Sequence, residues 1–495
     1  MTSYWCTDAE LPSRLPLTGD LSVDTVVVGA GLVGLTTALL LAEQGREVAV
    51  LEARQVGAVT TGASSAKITM LQGTRAQAIA RRHGIAVLSR YIDANRAGFD
   101  WLLDFCDAHE IPAQRVPSIT YAQDPAEADA VRAEYEATRA AGLPTQFVDE
   151  LDAPFPTHGG VRLREQAQVD PVAVLAALAA DVEAHGVPIF ESTRAQHLRR
   201  HGDRWVIGTE QGDVSAARVI VATGSPIFDR KGLAARLIAQ RSYLAAFETA
   251  GPVPEEMFLS AGSPTRSVRW APAENGTVLL VGGSGHEVGR ADSEAVHVAE
   301  LLNWASRWFP EARLLDRWSA QDYHPIGELP YVGSVQPGAE NVRCATGFAK
   351  WGMTNGVAAA LVLAGRIGGE SPQWADVYDT WRTGAVRTLL AGAQANAAVA
   401  RHLSTGWLTA FGTGDGFAPR EGEGRVERHG LQPTARCTVD GVSESVSAVC
   451  THLRGIVNWN DAEKTWDCPL HGSRFAPDGT VLEGPATAPL PRRAT

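Results

Sequence analysis

The sequence predicts an α/β (α+β) chain of two unequal parts, and three observations indicate this. Residues Asp24 to Arg54 read as an apolar strand, a glycine-rich turn, an amphipathic helix and a second apolar strand. Further on, "ARVIVATGS" contains a buried strand, and "GFAKWGMTNGVAAALVLAG" joins a glycine-rich turn to a helix. Near the carboxyl end, "CTHLRGIVNWNDAEKTWDCPLHGSRF" contains two Cys-His pairs that could hold a metal. We therefore expect a large strand–helix–strand domain followed by a small metal-binding domain.

Composition and charge favour a globular protein that acts on a small molecule or on another protein. Of 495 residues, 45% are apolar and 20% are charged, which is enough for a large buried core and argues against disorder. Forty-four Lys and Arg against fifty-six Asp and Glu give a net charge of −12. That charge argues against binding to nucleic acid or to an anionic membrane surface.

The sequence predicts a cytoplasmic chain without a membrane span. Its amino terminus has no basic stretch followed by an apolar one, and no uncharged apolar run approaches about 18 residues. The six cysteines are scattered and form no framework of disulfide spacings. Four of them we interpret as structural, namely Cys6, Cys106, Cys344 and Cys437.

The first strand–helix–strand unit carries a dinucleotide-binding fingerprint. Gly29, Gly31 and Gly34 have the spacing that a tight turn, a close approach to a pyrophosphate and close helix–strand packing require. Glu52, followed by Ala53 and Arg54, stands 18 residues after Gly34, where an acid that binds ribose hydroxyls is expected. The alternative is a glycine-rich turn without a ligand. With strand, helix and terminal acid in order, the pattern predicts a Rossmann-like nucleotide site.

Residues from about 1 to 400 resemble the D-amino-acid-oxidase-like family of FAD-dependent oxidoreductases, which includes glycine oxidase and sarcosine oxidase. Besides the fingerprint, "GAVTTGASSAKITMLQG" is similar to the second flavin loop of that family. "VDPVAVLAALAADVEAHGVPIF" resembles its Asp-Pro helix and the strand that follows. The resemblance implies a Rossmann-like FAD-binding domain with an inserted mixed-sheet substrate domain.

The same resemblance implies further FAD contacts and a noncovalent cofactor. The implied contacts are Ser64, Ser65, Lys67, Thr223, Gly224, Gly352, Met353 and Thr354. In sarcosine-oxidase relatives a cysteine near the segment matching "RWSAQDYH" attaches the flavin covalently, and here Trp318 occupies that region. We therefore expect FAD to be held without a covalent bond.

The candidate metal ligands of the carboxyl-terminal segment are Cys450, His452, Cys468 and His471. Zinc is the first candidate, because mixed sites of two cysteines and two histidines are common for zinc. Zinc fingers usually place both cysteines in one half, whereas each half here supplies one cysteine and one histidine. That order resembles a Rieske [2Fe–2S] site, in which two cysteines bind one iron and two histidines the other. "CPLHGSRFAPDGTVLEGPA" is also similar to a Rieske domain, which implies a small all-β fold.

Part of the Rieske pattern is missing from this chain. Many Rieske domains carry two more cysteines, whose disulfide clamps the cluster loops, and here those positions are Gly455 and Leu470. The clamp is therefore absent, as in Rieske-type ferredoxins. Ser473 matches a serine that hydrogen-bonds cluster sulfur in high-potential relatives, but Phe475 stands where those relatives have tyrosine. We expect an intermediate or low potential within the Rieske range.

The two resemblances divide the chain into three parts. Residues 1–400 form the oxidoreductase domain, with a substrate subdomain at about 86–160 and 240–320, and residues 426–495 form the Rieske domain. Residues 401–425 read as a linker, because the sequence from about 370 onward is first alanine-rich and then glycine-rich. No motif of two histidines and a carboxylate for a second iron is evident there, which argues against a Rieske oxygenase.

The predicted activity is a dehydrogenase-type oxidation of a small amine or amino-acid-like substrate. The substrate would give a hydride to FAD, and electrons would pass singly to the Rieske cluster and then to an external acceptor, a protein, a quinone or dioxygen. One alternative is an oxidase that returns electrons directly to dioxygen and has a structural or regulatory cluster. Another is a redox sensor or an electron-transfer partner without catalysis of its own.

Two lysines and two histidines are considered for a role in catalysis, and each has a plainer alternative. Lys67, in the second flavin loop, is expected near the flavin, and its alternative is a phosphate-binding or surface lysine. Lys350 lies in the turn that in relatives passes the flavin pyrimidine edge, and its alternative is a solvated lysine. His286 and His324 could each face the substrate, but a hydrogen-bonded structural histidine is the favoured interpretation for both.

Overall fold

The computed structural model describes residues 3–7, 11–229, 232–273, 276–382, 407, 418–429 and 432–493. Most of the linker predicted for residues 401–425 therefore lies outside the described residues. The helices of the described ranges are, in chain order, α1 Leu32–Glu43, α2 Arg75–His83, α3 Ile85–Ala108, α4 Ala128–Ala140, α5 Pro171–Ala184, α6 Glu294–Trp308 and α7 Gly352–Gly368.

The strands of the described ranges form two large sheets and two small ones. They are, in chain order, β1 Leu21–Val28, β2 Val48–Leu51, β3 Lys67–Ile68, β4 Gln114–Tyr121, β5 Gln146–Val148, β6 Gly160–Gln168, β7 Ile189–Phe190, β8 His197–His201, β9 Arg204–Gly208, β10 Asp213–Val221, β11 Leu237–Glu248, β12 Met257–Ser260, β13 Arg266–Ala273, β14 Gly276–Glu287, β15 Arg313–Pro325, β16 Tyr331–Ser334, β17 Val342–Thr346, β18 Gly424–His429, β19 Gln432–Val439, β20 Val442–Ser447, β21 Asn458–Asn460, β22 Thr465–Asp467, β23 Arg474–Phe475 and β24 Val481–Glu483.

The central sheet has the order β16-β17-β10-β1-β2-β7, and its strands β17, β10, β1, β2 and β7 run parallel. Strand β9 pairs antiparallel with both β10 and β8. The strand–helix–strand unit predicted from Asp24 to Arg54 is confirmed as β1, α1 and β2. The predicted Asp-Pro helix is also confirmed, since Asp170 accepts hydrogen bonds from the backbone N–H groups of Val172 at 2.8 Å and Ala173 at 3.3 Å. Local signals therefore position the elements of this sheet.

The second large sheet is mixed, as predicted for the inserted domain. Its order is β15-β11-β14-β13-β12-β4-β6-β3, with β5 beside β6, and β12 runs parallel to β4 while the other pairs are antiparallel. Its strands come from residues 67–68, 114–168 and 237–325. The limits 86–160 and 240–320 stay a prediction.

The carboxyl-terminal domain is all-β in its described residues, as predicted. One sheet has the order β18-β19-β20 and the other the order β21-β22-β23-β24. Trp466 and Phe475, both fully buried, belong with the two candidate ligand cysteines to the hydrophobic core of this domain. This core is separate from the cores of the large domain.

Buried charges join the carboxyl-terminal domain to the second large sheet. Arg241 of β11, whose side chain is 2% exposed, ion-pairs with Glu463 and Glu483 at 2.8 Å each. Arg474 binds the same two carboxylates at 2.8 Å and Asp467 at 3.0 Å. Buried charges remain stable only when opposite charges and hydrogen bonds surround them, so this network requires close apposition of the two domains.

Removing Arg241 should destabilise the fold strongly. In Arg241→Met, Glu463 and Glu483 remain buried and, within the described ranges, keep only Arg474 as an ion-pair partner. Breaking a buried ion pair in this way costs about 3–5 kcal/mol. The free energy of unfolding, measured by urea denaturation, should fall by that amount. The matched control is Arg313→Met, which breaks the exposed pair with Glu248 and should cost about 0–1 kcal/mol. Equal stability of the two variants would contradict a structural role for the network.

Candidate functional site

A cleft opens at the carboxyl ends of the central-sheet strands, where open α/β sheets bind nucleotides. Its empty volume is about 1510 Å³, with the open mouth included. Residues at the ends of β1, β2, β10 and β17 line it, including Val28, Leu51, Ala222 and Ala345. The carboxyl-terminal domain contributes Leu482, Glu483, Gly484, Ala486 and Thr487 to the same lining.

The glycine-rich turn lines part of the cleft through Gly29 and Gly31. Gly29 has φ +107°, and a Cβ there would lie 2.7 Å from the carbonyl oxygen of Ala222. A Cβ on Gly34 would lie 1.8 Å from the carbonyl oxygen of Gly29, so α1 can pack against β1 only with glycine at this position. The amino end of α1, at Leu32, borders the cleft, where its N–H groups suit a phosphate.

Glu52 lies at the cleft with its carboxylate held by the backbone. Its oxygens accept hydrogen bonds from the N–H groups of Ala30 at 2.9 Å and Arg54 at 2.8 Å. Burial raises the pKa of this carboxyl group, while the two backbone donors and the nearby Arg194 lower it. Each carboxylate oxygen retains a further lone pair, which can accept a hydrogen bond from a ribose hydroxyl.

Most of the predicted cofactor residues line the cleft. Those that do are Gly29, Gly31, Glu52, Ala53, Arg54, Ser64, Thr223, Gly224, Gly352 and Met353, together with the candidate Lys350. Those that do not are Gly34, Ser65, Lys67 and Thr354. Thr354 is buried and donates its hydroxyl to the Asn95 side chain at 2.6 Å. The contact of each of these residues with FAD stays a prediction.

The structure gives Lys67 protein partners away from the cleft. Its ammonium group donates to the carbonyl oxygen of Phe258 and to the hydroxyl of Ser267, both at 2.7 Å. Burial lowers its pKa well below the usual value, and the nearby Arg269 lowers it further. These contacts tie β3 to strands β12 and β13. Lys67 is buried, so it is not the surface lysine of the alternative interpretation.

The candidate histidines also have protein partners. His286 is within 3.1 Å of the Tyr243 hydroxyl and stacks on His297 at 4.5 Å, and it does not line the cleft. Burial lowers the pKa of His286 to about 4, so the ring is neutral at pH 7. His324 lies 2.8 Å from the Asp322 carboxylate. For His286 this geometry matches the structural alternative.

Two tight loops bring the four candidate metal ligands together. In the first loop the N–H of Cys450 donates to the carbonyl of Gly455, and in the second the N–H of Cys468 donates to the carbonyl of Ser473, each at 2.8 Å. The rings of His452 and His471 lie edge to face, with their centroids 5.2 Å apart. The hydrogen bond from the Cys468 thiol lowers the pKa of Cys450, and the N–H groups of residues 452 and 453 add to this effect.

These residues fit a [2Fe–2S] cluster. Burial lowers the pKa of His452, and burial lowers that of His471 to about 4, so both imidazoles are neutral as metal ligation requires. The Nδ1 atom of His471 is buried and has no hydrogen-bond partner among the described residues, which leaves it free for iron. The described residues contain no group of three or more ligands around one point. A cluster whose irons each take two protein ligands agrees with that observation.

Leu470 occupies the place of the missing disulfide clamp. A Cβ on Gly455 would lie 2.7 Å from Cγ and Cδ1 of Leu470, so the leucine side chain fills the space between the loops. All six cysteines are unpaired. Apolar packing thus joins the two loops at the place where the sequence predicts no disulfide.

Comparison with known families decides the identity of both sites. The family model for FAD dependent oxidoreductases matches residues 24–366, and the model for Rieske [2Fe-2S] domains matches residues 425–493. This chain belongs to the FAD-dependent oxidoreductase family and carries a Rieske domain. As a member it binds FAD and a [2Fe–2S] cluster, and the cleft and the paired loops are the parts of the chain that fit these groups.

Individual relatives agree with that architecture. The protein YhfW of Bacillus subtilis (strain 168), named as a Rieske 2Fe-2S iron-sulfur protein, is 31% identical over 493 residues, which is 99% of this chain and 96% of YhfW. The chloroplastic cytochrome b6-f complex iron-sulfur subunit of Bigelowiella natans is 50% identical over 48 residues, 10% of this chain and 19% of that protein.

Solved structures share the fold of the large domain. Glycine oxidase from Geobacillus kaustophilus superposes with a TM-score of 0.61 at 19% identity, over 71% of this chain and 96% of that one. L-proline dehydrogenase from P. horikoshii gives 0.60 at 16% identity, over 74% and 98%. L-amino acid deaminase from Proteus vulgaris gives 0.60 at 15% identity, over 75% and 100%.

The sequence-based reading of this FAD-dependent oxidoreductase missed several cleft residues. They are Arg194, Gln321, Asp322, Tyr323, Phe348 and the five residues of the Rieske domain. Arg194 and Thr487 lie outside every motif segment of the sequence. The others lie within such segments, but no local pattern showed that their side chains reach the cleft. Among the described residues, no helix has the length and apolar character needed to cross a membrane, and no cysteine lines the FAD cleft.

Replacement of Glu52 should weaken FAD binding. Glu52→Ala removes the carboxylate that accepts from Ala30 and Arg54, and with it the expected acceptor for the ribose hydroxyls. We expect loss of a charge-assisted hydrogen bond, about 1.5–3 kcal/mol, or roughly a tenfold to hundredfold higher Kd for FAD. Flavin fluorescence after ultrafiltration measures this. Glu47→Ala, at the exposed other end of β2, is the control, and equal FAD retention by both variants would contradict the assignment.

Proposed function

We propose that this chain is a dehydrogenase that oxidises a small amine or amino-acid-like substrate at the FAD and delivers the electrons through the Rieske domain to an external acceptor. When bound, FAD accepts a hydride equivalent and the cluster accepts one electron at a time. The protein's own part is to hold the two groups, to orient the substrate and to keep the cluster loops against the cleft.

One observation carries the proposed electron exit. Gln321 of β15 lines the FAD cleft, and its amide nitrogen donates to the carbonyl of Gly472, the residue after the ligand His471, at 2.8 Å. The same amide nitrogen donates to the Tyr323 hydroxyl at 2.8 Å. The amide oxygen of Gln321 is buried and has no partner among the described residues. A single side chain therefore connects the wall of the cleft to the backbone beside an iron ligand.

A fixed Rieske domain also supports this role. Besides the buried ion pairs, Arg290 donates to the carbonyl of Pro469 at 3.0 Å, and Asn458 donates to the carbonyl of Gly289 at 2.7 Å. Asp461 accepts from the N–H of Ala295 at 2.9 Å, at the start of α6. The contact at Pro469 lies in the second cluster loop, and the contacts of Asn458 and Asp461 lie in the chain between the two loops. The second loop and the segment before it therefore rest on the oxidoreductase domain.

The substrate class rests on the relatives and on the cleft. Glycine oxidase, L-proline dehydrogenase and L-amino acid deaminase, whose fold this chain shares, are all named for reactions of amino acids. Lys350 borders the cleft beside Gly285, where its ammonium group can stabilise negative charge on reduced flavin. No residue of the cleft needs to act as a base if the amine arrives neutral.

An anaerobic reaction with excess FAD tests the proposal. A screen of amines and amino acids should find a substrate that bleaches the flavin in wild-type protein. Cys468→Ser, which removes a cluster ligand, should keep that single turnover, while steady-state transfer to a one-electron acceptor should fall to a small fraction of the wild-type rate. Cys437→Ala removes a buried cysteine of the same domain that is not a ligand, and should keep both reactions.

Two outcomes would overturn this proposal. If no substrate bleached the flavin, the chain would not be a dehydrogenase of this class. If cluster-free protein turned over as fast as wild type with every acceptor tried, the cluster would not be the electron exit.

A further inference from the structure

One segment of the Rieske domain belongs to both cofactor sites. Residues 481–488, here called the shared segment, comprise β24 and the turn after it, with the sequence "VLEGPATA". Five of its residues line the FAD cleft, namely Leu482, Glu483, Gly484, Ala486 and Thr487. The cleft thus has one wall that the oxidoreductase domain does not supply.

Contacts from the oxidoreductase domain fix one side of the shared segment. Arg194, itself a cleft residue, donates to the carbonyl of Val481 at 2.9 Å. The Arg241 guanidinium binds the Glu483 carboxylate at 2.8 Å. The Tyr323 hydroxyl lies 3.4 Å from the carbonyl oxygen of Gly484. The position of the segment against the cleft is therefore set by side chains of β11, β15 and the loop after β7.

Contacts from both cluster loops fix the other side. In the first loop, the hydroxyl of Thr451, which stands between the ligands Cys450 and His452, donates to the carbonyl of Ala488 at 2.6 Å. At the end of the second loop, the hydroxyl of Ser473 accepts from the N–H of Ala486 at 3.0 Å. Strand β23 also pairs with β24. An intact pair of cluster loops therefore holds the backbone that faces FAD.

We propose that the FAD site is composite, completed by the shared segment of the Rieske domain, and that FAD and the [2Fe–2S] cluster bind cooperatively through it. Each cofactor orders a segment that the other needs, so binding of the first lowers the entropic cost of binding the second. Such coupling is reciprocal by thermodynamic necessity and typically amounts to about fivefold or more in affinity. It does not depend on which substrate the enzyme oxidises.

Iron release from the unmodified chain tests the coupling in one direction. Protein stripped of FAD but retaining its cluster is mixed with an iron chelator, and iron release is followed by the colour of the chelate with and without added FAD. We expect FAD to slow release about fivefold or more. Riboflavin at the same concentration lacks the adenosine part expected beside Glu52 and Arg194, and should have little effect.

Affinity for FAD in a serine variant tests whether the shared segment completes the FAD site. Ser473 does not line the cleft, but its hydroxyl accepts from Ala486, which does. Ser473→Ala, with its cluster content verified by iron analysis, should bind FAD about fivefold or more weakly. Ser443→Ala, an exposed serine of the same domain, should bind FAD as wild type does.

Each measurement has its own overturning result. If FAD left iron release unchanged, the two cofactors would bind independently. If Ser473→Ala kept the wild-type Kd for FAD with its cluster intact, the shared segment would not complete the FAD site. Neither readout involves turnover, so failure here is distinguishable from failure of the proposed dehydrogenase function.

Discussion

The buried ion pairs between Arg241 and two carboxylates of the Rieske domain, Glu463 and Glu483, are the constraint on which the rest of the molecule depends. Opposite charges without water are stable only in close contact, so the network permits one relative placement of the two domains. That placement brings Glu483 into the FAD cleft and sets Gly472 against Gln321. The composite cleft and the contact with the cluster loop both follow from it.

Two glycines make this placement sterically possible, one from each domain. Gly472 has φ +80°, and a Cβ there would lie 2.4 Å from the Cβ of Ala239 and 2.9 Å from the amide nitrogen of Gln321. Gly289 belongs to the oxidoreductase domain and approaches the Rieske domain, since a Cβ on it would lie 2.7 Å from the carbonyl oxygen of Asp467. Larger residues at either position would separate the second cluster loop from the sheet, and the ion pairs would then lengthen.

What could be predicted from the sequence was local. The sequence predicted the strand–helix–strand unit, the helix capped by Asp170 and the two Cys-His pairs. The residues that form a turn, a helix cap or a metal-binding loop lie close together in the chain, so a short segment is enough to indicate each of them. The Rieske wall of the FAD cleft could not be predicted in this way. Its contacts join residues more than 150 positions apart, such as Arg194 and Val481, and no composition or period marks them.

Lys67 shows why a position in a loop motif does not fix a side chain's direction. The motif places it in the second flavin loop, and Ser64 of that loop does line the cleft. Three residues later, however, the chain joins the edge of the second sheet through the pairing of β3 with β6, and Lys67 reaches Phe258 and Ser267 there. The direction of Lys67 is thus a property of the sheet.

Ser473 contacts both cofactor sites through one hydroxyl group. Its hydroxyl contacts the Cys450 sulfur, where it helps to lower the pKa of that thiol, and it also accepts from the N–H of Ala486 in the FAD cleft. A hydroxyl has one proton to donate and lone pairs to accept, so both contacts can exist together. Any substitution that tunes the cluster through this serine therefore also changes the wall of the flavin site. In a Rieske domain without an adjoining flavin site, only the contact with the cluster would constrain the residue at this position.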